Sequence, residues 1–475
     1  MLMNLRCGTA IAVLLAAQSL QSQRAPRYIS LAKAQPVIRA YQGRLPKSLP
    51  AQALHDPASW KRYVVQRDRE VRARLQQGDL DTLANLLLFG TSYTKQPLIT
   101  PALLNEISSA AGQQQSVAWN TYRQRLHDLT AGLAAPGTNQ RLIYMRSLVE
   151  KQGYHFRTAA DLDEVQKFLA GNLVRMLRDD QRFADALEMA RKADAETEFK
   201  ARSRVFGERG ISLDTTLLPN LAIEEALKQL NERGLLKSGS VERVAVIGPG
   251  LDVINKDAGF DFYPEQTIQP FAAIDSLLRL GLAKPGRLTV TTLDISGNVN
   301  AHLKVARQRA LRGSSYTVQL PLRADIHWTP GTVSYWQNFG SAIGKSVSPL
   351  APANGIGEIK VRAVRISPSQ VMRVRTADLN VVLQHIALPE NERFDLVIGT
   401  NIFVYYEEFE QALAEVNIAH MLKPNGILLT NDALPAGESS PLEVINFSTT
   451  VYSDRQADGD RIVWMRANRE QLRRR

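Results

Sequence analysis

The chain changes its hydrophobic rhythm once, near residues 235–240, and that change limits the folds open to it. Before it, from Pro57 to Gly234, apolar residues recur at three- and four-residue spacing, as in "SWKRYVVQRDREVRARLQQGD" from Ser59 onward. Val165, Phe168, Leu169, Leu173, Met176 and Leu177 make one stripe, the pattern of a helix packed on a neighbour. Beyond Ser240, short β-branched runs alternate with helical segments. "RVAVIG", a helix near Pro270 to Leu282, "LTVTTLD" and a helix near Val299 to Leu311 come first. "FDLVIGTN", a helix from Glu407 to Leu422 and "GILLTND" follow. Continuous apolar strands separated by helices predict a parallel sheet covered on both faces. The expected fold class is therefore α/β, a Rossmann-like sheet over 236–475 preceded by an all-helical domain over 24–235. Insertions are expected near 255–270 and 321–369.

Length agrees with more than one unit, since 475 residues exceed one ordinary core. Hydrophobic content of 44% and charged content of 22% exclude a disordered chain. The net charge of +11 admits nucleic acid or acidic lipid as a partner, but the basic residues read as scattered apart from the tail Arg466–Arg475. No nucleic-acid motif is recognised. Residues 1–23 read as a signal-like segment: Arg6, an apolar run from Cys7 to Ala17, then polar residues. Export to the periplasm or cell envelope, with peripheral membrane association, is one expectation; a cytoplasmic protein is the other. Cys7 is the single cysteine, which excludes disulfides, a thiol nucleophile and a zinc–thiolate site in a cleaved chain, and no metal site is expected.

Two stretches interrupt the helical half. "LLLFGTSYTKQP" (86–97) and "GERGISLDTTLLPN" (207–220) are either connectors or walls of a substrate cleft, where small and hydroxyl residues let a ligand approach the backbone. The helix after the second, "PNLAIEEALKQLNERG", is expected to be capped by Asn220.

In an open parallel sheet, ligands bind beyond the carboxyl ends of the strands. Three strand ends carry fitting residues. "VAVIGPGLD" (244–252) ends in Gly248, Gly250 and Asp252, where missing side chains allow close approach of a cofactor. Val253 stands where a dinucleotide fingerprint needs its third glycine, which counts against a nicotinamide enzyme. Asp294 can accept hydrogen bonds from both hydroxyls of a ribose, or cap the next helix. Asn401 ends the third strand, with Tyr405 and Tyr406 following.

Together these segments resemble the class I S-adenosylmethionine-dependent methyltransferases over about 236–435. "VAVIGPGLD" is similar to that family's first motif, "TLDIS" to its ribose-binding acidic motif, and "RTADLN" to the segment whose acid contacts adenine. "FDLVIGTNIFVYYEEF" through "MLKPNGILLTND" is similar to its fourth strand, the next helix and the turn into the fifth strand. The resemblance implies S-adenosyl-L-methionine as cofactor. It places Gly248, Gly250 and Asp252 around the methionine part, and Asp294 with Ile295 at the ribose. Asp378 with Leu379 would lie at the adenine, and Asn401 with Tyr405 at the transferred methyl. No catalytic base is implied; His327 and His385 are candidates that equally suit structural roles. Two departures stand out: no acid precedes Gly248, and no third glycine follows Gly250.

Phe260, Phe262 and Tyr263 in the first insertion are a candidate lid. His327, Trp328, Tyr335 and Trp336 in the second either hold a flat substrate or belong to a packed flap. The acceptor implied is a small molecule or a protein. The competing expectation is a non-catalytic scaffold of the cell envelope on a degenerate fold, since an exported enzyme would be cut off from a cytosolic cofactor.

Overall fold

The computed structural model describes residues 25–109, 116–191, 210–254, 261–352, 358–434, 440–455 and 458–468. The signal-like segment and Phe260 lie outside the described residues. The chain opens with a short strand β1 (Pro26–Tyr28) and helices α1 (Leu31–Ala40), α2 (Pro57–Phe89), α3 (Pro101–Ser109), α4 (Val117–Ala134), α5 (Gln140–Lys151), α6 (Ala159–Arg191) and α7 (Pro219–Glu232). The strand–helix alternation then begins with β2 (Arg243–Ile247), α8 (Gln269–Arg279), β3 (Thr289–Asp294) and α9 (Gly297–Leu311). Next come β4 (Tyr316–Arg323), α10 (Pro330–Asn338), β5 (Gly344–Val347), β6 (Ile359–Ile366), β7 (Val374–Asp378) and β8 (Gln384–Ile386). The last elements are β9 (Phe394–Gly399), α11 (Glu408–Met421), β10 (Leu422–Thr430), β11 (Leu442–Val451) and β12 (Gly459–Ala467).

Seven strands form one mixed sheet in the order β11-β12-β10-β9-β2-β3-β7. The five strands β7, β3, β2, β9 and β10 are parallel, and β12 and β11 close the far side as antiparallel partners. Chain order reverses between β2 and β9, the switch point where ligands bind in such sheets. A second, three-stranded antiparallel sheet, β4-β6-β5, occupies the expected second insertion. The α/β class therefore stands, as a mixed rather than purely parallel sheet.

The apolar runs of the central strands have a direct cause. On β2, Val244 and Val246 join one buried cluster while Ala245 and Ile247 join the other, so the strand is covered on both faces. Both clusters mix residues from before and after position 235. Leu83, Leu86, Leu129 and Met145 share one with Phe271 and Leu288; Trp60, Val64 and Val71 share the other with Leu413 and Val463. The N-terminal part is also not purely helical. β1 pairs antiparallel with β8, and Ile29 N–H donates to Leu383 O at 2.8 Å. Three residues are too short to show strand alternation in a sequence, so this element escapes pattern reading.

Helix α2 does most to position the site. Asp56 caps it, its carboxylate accepting from Ala58 N and Ser59 N, and Pro57 fits its first turn. At 33 residues it is roughly 50 Å long. Trp60, Tyr63, Val64 and Val71 pack on one side of the sheet, and Leu83 to Leu88 on the other. The helix thus crosses over the sheet, and its middle, Arg72 to Gly78, meets the loops at the carboxyl ends of the strands.

Candidate functional site

At the switch point lies a cavity of about 290 Å³. Its floor is the ends of β2 and β3 with Ile247, Gly248, Gly250, Leu293, Asp294 and Ile295. Leu379 and Val381 follow β7, and Thr400, Asn401, Ile402, Tyr405 and Tyr406 follow β9. Its roof comes from the helical part: Leu75 of α2, the segment 211–216, and Pro219 and Asn220 at the start of α7.

The glycine turn is built to be covered. Gly248 has φ +58°, and a Cβ there would stand 2.2 Å from Ile402 Cδ1. Gly250 has φ +72°, and a Cβ would stand 2.7 Å from Leu213 O and 2.8 Å from Thr215 Cβ. Both positions favour glycine on backbone grounds as well as for space. Leu251 N–H donates to Leu213 O at 2.7 Å, tying the turn to the roof. The roof in turn rests on α2: Ile211 N–H donates to Arg74 O at 3.1 Å, and Gly78 has no room for a Cβ beside Ile211.

Asp294 is 6% exposed at the tip of β3. Its Oδ1 accepts from Ser296 N at 2.7 Å, and its backbone carbonyl takes Asn300 Nδ2 at 2.9 Å and Leu379 N at 3.1 Å. Burial pushes its carboxyl up to about 7, with the nearby Asp378 adding to the rise; the amides of Ser296 and Gly250 and the Arg72 cation pull the other way. The helix cap is Ser296, whose Oγ accepts from Val299 N, so the carboxylate is not consumed as a cap. Asn401 sits at φ +59°, a left-handed conformation asparagine tolerates, and its N–H donates to Asn431 Oδ1 at 2.6 Å.

Of the residues singled out by sequence, Gly248, Gly250, Asp294, Ile295, Leu379, Asn401 and Tyr405 meet in this cavity. Asp252 and Asp378 do not line it. Asp252 is buried behind the turn, where Tyr263 Oη and Gln266 Nε2 donate to its Oδ2 at 2.8 and 3.1 Å, and its N–H bonds to Gln266 O. Burial raises its carboxyl to about 6, and Arg141 of α5 offsets part of that rise. Arg141 donates to the carbonyls of Val253 and Tyr263, so α5 clamps the segment that follows the turn. Asp378 is 57% exposed and paired with Arg72 Nη1 at 2.8 Å.

Tyr263 is therefore an internal prop and not a lid, with Phe262 edge-on against it at 5.1 Å. Tyr335 and Trp336 are buried in the core, Trp336 Nε1 donating to Leu320 O at 2.9 Å. Neither they nor His327 and Trp328 line the cavity. His385 is buried between Asn417 (3.1 Å) and Lys33 (3.0 Å), and burial lowers it to about 4; it too is away from the cavity. Asn220 does not cap α7. Pro219 begins the helix, its ring preset for the first turn, and Asn220 Nδ2 donates to Thr216 O, stiffening the roof.

Sequence reading did not foresee Arg72, Arg74 and Leu75. Arg72 Nη1 reaches Ile295 O at 3.2 Å, and its Nε bonds Asp68 at 3.1 Å. Arg74 Nη1 donates to Tyr405 O at 2.8 Å. These contacts lie on a charged helix whose periodicity gives no hint that its middle turns crown a sheet. The loop 207–220 did carry a signal in its glycines and hydroxyls, and its described residues 211–216 form the roof.

No family model and no curated protein matches the chain. Solved structures similar in part include the N-methyltransferase NodS from Bradyrhizobium japonicum WM9, at 14% identity over 52% of this chain and 96% of that one, TM-score 0.25. An O-methyltransferase family protein from Burkholderia thailandensis matches at 14% identity over 85% and 97%, TM-score 0.24. Human N-acetylserotonin methyltransferase in complex with SAM matches at 13% identity over 86% and 98%, TM-score 0.24. The strand order and the cavity define a doubly wound α/β protein with a covered, partly acidic cavity at its switch point.

Proposed function

We propose that the protein is an S-adenosylmethionine-dependent methyltransferase acting on a small-molecule or protein acceptor. The observation that carries this reading is the buried Asp294 carboxyl, which lines the same cavity as the Gly248–Gly250 turn. A carboxylate held at a strand tip in apolar surroundings is costly unless a ligand offers it donors, and two ribose hydroxyls are such donors. The glycines of the turn let Ile402 and the 211–216 roof close over the strand ends, and Ile295, Leu293 and Leu379 give an apolar wall for a flat base.

When bound, the cofactor supplies a methyl carbon on a cationic sulfur, open to displacement by an acceptor lone pair. The chain's own share is alignment and exclusion of water. Tyr405 and the 211–216 roof close the cavity from above, and Asn401, Thr216 and Asn220 are among its polar lining. Calorimetric titration of the purified protein with S-adenosylmethionine and S-adenosylhomocysteine tests the reading. Micromolar binding that is abolished in Asp294→Ala supports it.

A second reading, a non-catalytic binding protein on the same fold, is favoured by two features. Arg72 pairs with Asp378, the acid that the resemblance assigns to the adenine, and the cavity is at the small end of ligand pockets. A folded sample that binds neither compound selects this second reading.

A further inference from the structure

The charge of this protein is not spread evenly. Between Ile295 and Ala377 the sequence holds eleven lysines and arginines against two acids, a net +9 of the chain's +11. The fold places this segment in α9, the three-stranded sheet and the edge strand β7. Lys304 and Arg309 are exposed on α9 and Arg312 at its C-terminal cap, while the helix's inner face buries Val299, Leu303, Ala306 and Ala310. Arg307 leans from the same helix onto the sheet edge, where its guanidinium donates to Met372 O and Val374 O and meets the charge of Arg375. Past the end of α9, exposed Lys345 and Arg365 stand opposite each other on β5 and β6, and Arg365 also faces Thr317 at the start of β4.

Of the two acids, Asp325 is taken by Arg323. Among the described residues, Lys304, Arg309, Arg312, Lys345, Lys360 and Arg365 have no carboxylate at ion-pair distance. So many like charges left together repel one another, and a protein that only needed solubility would intersperse acids. The same outward face of α9 shows Leu311 at 60% and Val305 at 43% exposure among its cations. A helix that shows both cations and aliphatic side chains to the outside suits the headgroup region of a bilayer. α9 carries no Phe, Tyr or Trp to serve as the stacking platform of a single-strand binder, and its His302 is turned onto Tyr316.

We infer that α9 and the adjoining β5–β6 strands form a docking face for an anionic lipid bilayer. Cations near such a surface each multiply binding roughly fivefold, and the attraction dies away with salt over a Debye length. Leu311 and Val305 add shallow apolar contact at the headgroup boundary. This inference stands apart from the cavity and holds whether or not the cavity binds a cofactor.

The test is co-sedimentation of the full chain with phosphatidylcholine vesicles with and without about 30% phosphatidylglycerol, over a salt series. The comparison protein is the fourfold variant K304Q/R312Q/K345Q/R365Q, with unchanged circular dichroism as the folding control. The N-terminal apolar segment is common to both proteins, so its contribution cancels. The expected result is binding that requires the anionic lipid, is released by high salt, and falls by on the order of 100-fold in the variant. Leu311→Gln alone is expected to weaken it several-fold without changing its salt dependence. Equal binding by wild type and the fourfold variant, or no preference for the anionic vesicles, overturns the proposal. So does tighter, patch-dependent binding to a duplex RNA or DNA of about 20 base pairs at the same salt.

Discussion

Replacing Asp294 by asparagine should make the ligand-free protein more stable at pH 8 and less stable near pH 4. The reasoning follows from the carboxyl's position. In the unfolded chain it titrates near its usual 3.8, while burial at the end of β3 raises it to about 7. Below pH 4 both states carry the neutral acid, and the group contributes nothing to the pH dependence. Between pH 4 and 7 only the unfolded state loses the proton, so stability falls as pH rises, and the loss is complete above pH 7. Three pH units at about 1.4 kcal/mol each give about 4 kcal/mol of destabilisation at pH 8. Asparagine removes this cost but turns an amide donor toward one of the two backbone N–H groups, Gly250 or Ser296, which costs roughly 1–2 kcal/mol. The net gain is about 2–3 kcal/mol at pH 8, changing to a loss of about 1–2 kcal/mol near pH 4. Urea midpoints of wild type and variant across pH 4–8 read both numbers, and the difference cancels the parallel contributions of Asp252 and Asp79, which burial also raises. A variant that is destabilised equally at pH 8 and pH 4.5 would refute the claim that Asp294 is held at a cost. The same titration predicts the ligand side. If the carboxylate form accepts ribose hydroxyls, cofactor affinity in the wild type should drop about tenfold per pH unit below pH 7.

Other residues give sharper structural tests. Gly78→Ala places a Cβ 2.0 Å from Ile211 O, backbone against backbone, and is expected to cost about 3 kcal/mol and to loosen the roof, read as a lower urea midpoint and faster proteolysis within 210–216. Arg72→Ala removes the cation from Asp68, buried with only Tyr28 Oη and Asn380 Nδ2 left on its oxygens, at 2.9 and 2.8 Å, and frees Asp378. A loss of about 2 kcal/mol is expected at neutral pH, with Asp378 newly accessible to a ligand in calorimetry. Arg141→Met leaves Asp252 and Glu265 without their offsetting cation, so both carboxyls rise further. Because a raised acid costs stability as pH climbs, the variant should lose about 3 kcal/mol at pH 8 and clearly less at pH 5, measured by thermal melts.

The sequence shows some parts of this fold better than others, and the difference is physical. β2, β3 and β9 are apolar over their length because both faces are covered, and this makes them visible as β-branched runs. β11 is harder to see because it is an edge strand with Val444 and Phe447 about half exposed, so its apolar residues follow no clean alternation. β4, β5 and β6 lie in a stretch whose prolines, glycines and serines read as an inserted loop, and only pairing at a distance makes them strands. The site divides in the same way. Glycines and an acid at strand ends announce themselves, because the backbone itself demands them. Asp252 and Asp294 look alike in sequence, yet one faces the cavity and the other props Tyr263 and Gln266; local composition does not tell which way a side chain leaves a turn.

The basic face shows the opposite failure, in which the information is present but averaged away. Over 475 residues the cations look scattered, and the net +11 reads as a bulk property. Nearly all of the excess belongs to one run of 83 residues that leaves one end of the sheet and returns to its edge. Selection for solubility alone has no reason to confine charge to one topological excursion while the remaining surface stays near neutral. The helical part supplies Arg67, Arg72 and Arg175, and each of these has a carboxylate partner within 3.1 Å. Those three cations are neutralised where they sit, whereas Lys304, Arg309, Lys360 and Arg365 are not. A run of 83 residues that carries a net +9, with six of its cations lacking a carboxylate partner, suits a partner that brings its own negative charge.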